Sequence, residues 1–263
     1  MSRRKFIKIS LGIFLGFVFS FIIFLRTQYV VPILMYHSIT EQVQPGNRLQ
    51  VSKDAFTRQM QFLKKHNYRV IPLEELGDLI KAKKKIPYKT VVITFDDGYK
   101  DNYLYAFPIL KKYNLYATIF LIVDEIDRPQ QDRLSWEEIR QMQDSGIITF
   151  GSHSLDHPFL TELSSLDELR RQIFDSKRIL EERLGRHINA FAYPSGRFNE
   201  IIKNLVKEAG YKLAVATNPG KGFSNNDIFA LKRIRISENA KNLFIFWIKV
   251  SGYYNFFREQ RWK

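Results

Sequence analysis

The chain has 263 residues, 45% of them apolar, 14% aromatic and 26% charged, with no cysteine. That balance excludes a disordered, collagenous or disulfide-stapled polypeptide and supplies enough apolar surface for one large domain or two small ones. The formal net charge of +14 suits anionic envelope polymers, lipid headgroups or DNA, but no aromatic platform interleaves the basic run Lys81–Lys85, so nucleic acid is not expected as a partner.

Residues 1–26 stand apart. Arg3, Arg4, Lys5 and Lys8 precede an uncharged run from Ile9 to Leu25, which Arg26 closes. As a helix, that run approaches the roughly 17–25 residues needed to cross a bilayer. No A-x-A-like tripeptide follows, so an uncleaved anchor is preferred over a cleaved signal peptide. The basic stub then lies inside and the remainder outside a cell membrane crossed once. Without residues 1–26, 36 basic residues face 27 acidic ones, a net charge of +9.

Beyond residue 30, short β-rich runs alternate with amphipathic stretches. "VVPILMY" reads as a strand, "SKDAFTRQMQFLKKHN" as a helix capped by Ser52, "YRVI" as a strand, and "PLEELGDLIKAKKK" as a helix opened by Pro72, its Lys81–Lys85 end exposed. There follow "TVVITF", a helical segment near residues 99–113, "LYATIFLI", the helix "SWEEIRQMQDSG" ending at Gly146, and "IITFGS". A long helix from about Ser165 to Leu184, "INAFAY", "NEIIKNLVKEAG", "YKLAVAT" and "FALKRIRI" complete the series. Strands alternating with helices pair in parallel, and seven or eight such units predict an α/β fold closed or nearly closed into a (β/α) barrel. The expected organisation is an anchor over 1–26, a barrel domain over 27–240, and an aromatic and basic helix or tail over 241–263.

In such barrels chemistry sits at the C-terminal ends of the strands. There this sequence places His37, Asp96, Asp97, His153, His157 and the "YPSG" turn of Tyr193, Pro194, Ser195 and Gly196. The stretch "TVVITFDDGYKDN" runs from a buried-looking strand into two adjacent carboxylates, an arrangement that burial and mutual repulsion both disfavour. A metal ion would resolve it. His153 and His157 stand at i, i+4, one face of a helical turn, and with Asp97 they form a three-ligand set that leaves a position open for water. Zinc suits these ligands best, with cobalt, nickel or iron as alternatives. Adjacent residues at a strand end point in different directions, so one aspartate can ligate while the other accepts a proton from the water.

These residues resemble a family. "TFDDG", "HSLDH" and "AYPSG" are similar to the first three motifs of the polysaccharide deacetylases (NodB homology, carbohydrate esterase family four), over about residues 31–236. "VPILMYHSI" and "FAYPSG" resemble the branch that acts on poly-N-acetylglucosamine and other extracellular polysaccharides. The resemblance implies a distorted (β/α) barrel and hydrolysis of N-acetyl groups on an N-acetylglucosamine polymer. It further implies metal-bound water as nucleophile, Asp96 as general base, Asp97, His153 and His157 as ligands, and the backbone N–H of Ser195 as oxyanion donor. A monomer anchored with its catalytic domain extracellular is expected.

Three features depart from that pattern. Ala192 stands where the family's third motif usually opens with an arginine, Ser195 stands where an aromatic is usual, and no histidine follows His187 where a late motif often supplies one. Arg233 and Arg235, on one face of the last strand by period two, either replace the arginine or are solvated. Either His37 assists as acid, or Asp96 returns its proton to the leaving amine. Trp136 either lines the sugar groove or packs on the barrel; Tyr193 and Pro194 are candidate substrate contacts. The rival functions are a catalytically weak carbohydrate-binding protein on the same barrel and a magnesium phosphotransfer enzyme, the latter disfavoured by two imidazoles.

Overall fold

The computed structural model describes residues 14–20, 23–24, 26–128, 132–217 and 225–260. The anchor expected over residues 1–26 falls largely outside these ranges, and no helix among the described residues is long and apolar enough to cross a membrane.

The strands are β1 (Ile33–Tyr36), β2 (Ser38–Thr40), β3 (Gln50–Ser52), β4 (Arg69–Val70), β5 (Thr90–Phe95), β6 (Ala117–Leu121), β7 (Ile148–Ser152), β8 (Ala190–Ala192), β9 (Leu213–Ala216), β10 (Leu231–Lys232) and β11 (Ile234–Arg235). Their ladders are all parallel. One path runs β10-β9-β8-β7-β6-β5-β1-β11. Its two ends are consecutive in the chain, separated only by Arg233, so a single extended segment bonds β9 with its first half and β1 with its second. The path thereby closes into a barrel, as the alternation of elements predicts. β4 pairs with the start of β5, and β2 and β3 form a separate pair above the end of β1 that the sequence patterning did not reveal.

Strands in a closed parallel sheet are covered on both faces, which is why "TVVITF" is buried at every position. Along β5 the side chains alternate, so Val92, Thr94 and Asp96 share the inward row. Val92 packs there with Ile33, Phe120, Ala190, Ala192, Val215 and Leu231. Surrounding helices start where short polar side chains cap them: Ser52 on the amide of Ala55, Ser135 with Glu138 in a reciprocal capping box, and Asn199 on the amide of Ile202. The long helix predicted over 165–184 contains a π-helical turn, Arg171–Asp175, that buries Gln172. After the barrel closes, the helix Leu243–Val250 buries Phe246 and Val250 while Phe244 and Trp247 stay 64% and 47% exposed.

Candidate active site

Asp96 continues β5 by one residue, its N–H donating to the Tyr36 carbonyl at 3.0 Å. Asp97 and Gly98 then turn the chain away with φ of 71° and 63°. The two carboxylates therefore leave the strand in different directions. Gly98 is demanded twice, by its left-handed backbone and by space, since a Cβ there would lie 2.8 Å from Leu121 Cδ2.

Arg233, between β10 and β11, reaches across the barrel and grips Asp96 with both ends of its guanidinium: Nη1 donates to Oδ1 at 2.5 Å and Nη2 to Oδ2 at 2.7 Å. Nη1 also reaches Thr94 Oγ1 at 3.3 Å, and the guanidinium carbon lies 5.4 Å from the Phe120 ring centroid. The two residues are 1% and 2% exposed. Burial alone would raise the Asp96 pKa. The charge of Arg233, helped by His153 and His37, overrides burial and holds the carboxyl well below the usual carboxylate range.

His153 follows β7. Its Nδ1 lies 2.7 Å from the Ala192 carbonyl, which fixes the proton on Nδ1 and leaves the Nε2 lone pair facing Asp97 Oδ1 at 3.6 Å. The ring of His157 comes within 4.6 Å of that of His153, centroid to centroid. No helical turn achieves this. Ser154 and His157 adopt φ of 69° and 63°, Ser154 Oγ accepts from the His157 amide at 3.1 Å, and Gln172 Oε1 accepts from Leu155 N at 3.1 Å. The i, i+4 pairing thus comes from a pinned loop, correcting the helical expectation.

One ligand atom from each of Asp97, His153 and His157 lies within 4.8 Å of the others. Burial pushes His153 down to about 3 and His157 below its ordinary value, so both imidazoles are neutral. Burial and the Asp96 charge push Asp97 up to about 7. Two neutral nitrogens and a carboxyl whose nearby arginines do not offset its burial fit a divalent cation, whose charge would restore Asp97 to its anionic form.

His37 follows β1 with Nε2 3.9 Å from Asp96 Oδ2, and burial lowers its pKa to about 4. Its buried Nδ1 has no hydrogen-bond partner among the described residues. The backbone around it is clamped by residues the motif reading missed: Asn102 Nδ2 donates to the His37 carbonyl at 2.8 Å, and Ser38 Oγ donates to Asp101 at 2.5 Å. Both stand in the same "TFDDGYKDN" run as the aspartates, but no periodicity marks them. Arg133, equally unforeseen, pairs with Glu125, lies 4.1 Å from the Tyr99 ring centroid, and partly offsets the raised pKa of Asp97.

The other predicted residues divide. Ser195 is exposed at the rim with φ of 55° and ψ of 11°, a conformation that costs free energy and so marks a constrained turn. Tyr193 and Pro194 are buried. The Tyr193 ring stacks on Phe198 at 4.3 Å and its hydroxyl donates to the Phe229 carbonyl at 2.9 Å, so the expected substrate contact is corrected to a core position. Trp136 is half-buried, packed against the core, with Arg183 over its ring at 5.5 Å. Arg235 has passed the barrel mouth and is exposed, near enough to His37 to oppose its protonation.

The polysaccharide deacetylase profile matches residues 83–214, from before the aspartate pair to the end of "INAFAYPSG" and beyond. YxkH of Bacillus subtilis, a protein named for the same family, is 36% identical over 206 residues, 78% of this chain and 71% of that protein. This chain belongs to the polysaccharide deacetylase family. The family's enzymes also include the poly-β-1,6-N-acetyl-D-glucosamine N-deacetylase of Staphylococcus aureus, 29% identical over 72% of this chain and 69% of that enzyme. Among solved structures, the Streptococcus pyogenes deacetylase PplD in complex with acetate superposes with a TM-score of 0.73 at 35% identity, covering 82% of this polysaccharide deacetylase and 96% of PplD.

Proposed function

We propose that this polysaccharide deacetylase hydrolyses N-acetyl groups on an N-acetylglucosamine-containing envelope or exported polysaccharide, using a divalent metal, zinc first, held by Asp97, His153 and His157. The observation that carries this reading is the adjacency of that donor set to a carboxylate, Asp96, locked in one orientation by Arg233. A pure binding protein has no use for such a pair. A magnesium phosphotransfer enzyme would surround its ion with oxygen ligands in place of two imidazoles.

A bound cation supplies Lewis-acid polarisation of the acetamide carbonyl and an acidified water. The remaining work falls to side chains of the chain itself. Asp96 accepts the proton of the attacking water, and Arg233 keeps its oxygens aimed while making the captured proton easy to release. His37, neutral and 3.9 Å away, relays that proton to the leaving nitrogen. The Ser195 N–H, by analogy, faces the oxyanion that develops at the carbonyl. The C–N bond breaks, acetate departs and the sugar amine remains.

The basic stub and apolar run of residues 1–26 support a single-pass membrane anchor with the catalytic domain outside the cell. The reading is tested by incubating the full chain, in detergent with zinc, with N-acetylglucosamine oligomers and measuring acetyl loss by mass spectrometry. Loss that a chelator blocks and Asp96→Asn abolishes supports it. No loss on oligomers or intact wall glycan overturns it.

A further inference from the structure

A groove of about 800 Å³ opens beside the catalytic mouth, between the loop after β2 and the helices that follow the barrel. Among the described residues, its walls carry Arg48, Arg235, Lys241, Lys249 and Arg258 against only Glu41 and Glu238. The acids do not neutralise this set. Glu238 accepts from the Ser52 amide at 2.8 Å and faces Lys241 at 3.8 Å, and Glu41 is exposed at the lip. Among the described residues no carboxylate pairs with Arg48, Arg235, Lys249 or Arg258.

Lys249 is the unusual member. It is 6% exposed, yet among the described residues its ammonium meets only the Arg235 carbonyl at 2.6 Å and the Tyr254 ring. Burial, with Arg235 and Arg258 nearby, lowers its pKa to about 8. A buried ammonium beside two like charges is costly unless an anion joins it. The groove is also coupled to the reaction centre, since Arg235 is two residues from Arg233 and the groove-lining loop leaves the β2 strand that His37 precedes.

We propose that this groove is a subsite for an oxyanion, phosphate or carboxylate, carried by the polysaccharide close to the N-acetyl sugar being hydrolysed. The inference rests on the deacetylase reading for its substrate, and it makes that substrate an acidic glycan. Concavity and the place of Arg235, two residues beyond Arg233, favour a glycan over a lipid surface, although Phe244 and Trp247 are exposed on the helix that bears Lys249.

The test measures calorimetric binding and acetate release with the full chain in detergent with zinc. The probes are a neutral N-acetylglucosamine pentamer, the same pentamer with a terminal phosphate, and a hyaluronan octasaccharide, whose alternate sugars carry carboxylates. At least one acidic oligomer should bind about tenfold or more tighter than the neutral one at low salt, the advantage shrinking as salt rises. Whichever acidic probe gains names the oxyanion. Arg48→Gln with Arg258→Gln should erase the advantage and leave affinity and turnover on the neutral pentamer unchanged; Lys249→Met, checked for folding by circular dichroism, should do the same. Equal affinity for all three oligomers overturns the proposal, as does an advantage that survives the double variant. So does an effect of the double variant seen only with phosphatidylglycerol vesicles, titrated as a fourth probe. Acidic binding lost in the double variant, with no acetate from any probe, supports the subsite and sinks the deacetylase reading separately.

Discussion

Arg233 and Asp96, 137 residues apart in the chain, meet through two nearly parallel hydrogen bonds of 2.5 and 2.7 Å inside the barrel. The planar fork of a guanidinium matches a carboxylate in a way an ammonium cannot. Ala192 stands where the resemblance implies an arginine, and the last strand supplies one from the opposite side of the closure.

Replacing Arg233 with Met should therefore do two separable things. It strands a buried carboxylate, at a cost of about 3–5 kcal/mol, read as a lowered Tm. It also removes the charge that depresses Asp96. A base must be deprotonated to work, so with a higher pKa the acid limb of the pH–rate profile should move upward by about 1–3 pH units. Arg233→Lys should recover part of the limb but less of the stability. An unmoved limb in Arg233→Met would remove Asp96 from the role of base.

Zinc affinity should report on Asp97 rather than on His153. In the free site burial holds His153 near 3 and lifts Asp97 to about 7, so above pH 4 the imidazole is ready to bind, whereas below pH 7 the carboxyl carries a proton that the ion must displace. Apparent affinity should fall about tenfold per pH unit below 7, with close to one proton released per zinc. Calorimetry in buffers of different ionisation enthalpy counts that proton. Asp97→Asn should bind more weakly and lose the pH slope; an unchanged slope would assign the proton elsewhere.

Two glycines separate backbone conformation from crowding. Gly98 and Gly185 have φ of 63° and 62°, but a Cβ at Gly98 meets Leu121 at 2.8 Å whereas one at Gly185 meets nothing within 4 Å. Gly185→Ala should lose only the dihedral cost, about 1 kcal/mol. Gly98→Ala should lose about 1–3 kcal/mol more and weaken zinc binding, because the overlap pushes on the turn that carries Asp97. Thermal unfolding and zinc titration of both variants decide it; equal losses would mean Leu121 gives way freely.

Much of the barrel was legible because strands buried on both faces leave uninterrupted apolar runs such as "TVVITF", and because Ser52 and Ser135 mark helix starts. What escaped was set by contacts remote in sequence or by backbone that no spacing rule describes. The pairing of Ser38 with Asp101 joins residues 63 apart. The approach of His157 to His153 depends on two left-handed residues and on Gln172, which lies in a π-helical turn further along the chain. Tyr193 looked like a rim residue from its place beside "PSG", but an aromatic that can stack on Phe198 and satisfy its hydroxyl on a carbonyl gains more by burial than by facing water.

His37 offers the last discrimination, between an imidazole that handles the departing proton and one that merely fills the strand end. Its Nδ1 is buried without a partner among the described residues, an arrangement that costs about 1–3 kcal/mol unless something else uses the nitrogen. His37→Gln keeps hydrogen-bonding capacity and similar bulk but cannot carry a proton at neutral pH. If His37 relays the proton, kcat for acetate release should fall by about 10²–10⁴, with zinc content and KM nearly unchanged. A structural histidine predicts the opposite split, with kcat within a few-fold of the parent and a lower Tm. A third outcome, unchanged kcat and unchanged Tm, would leave Asp96 to return its own proton, which the grip of Arg233 makes chemically easy because a carboxyl held so acidic gives its proton up to any amine within reach.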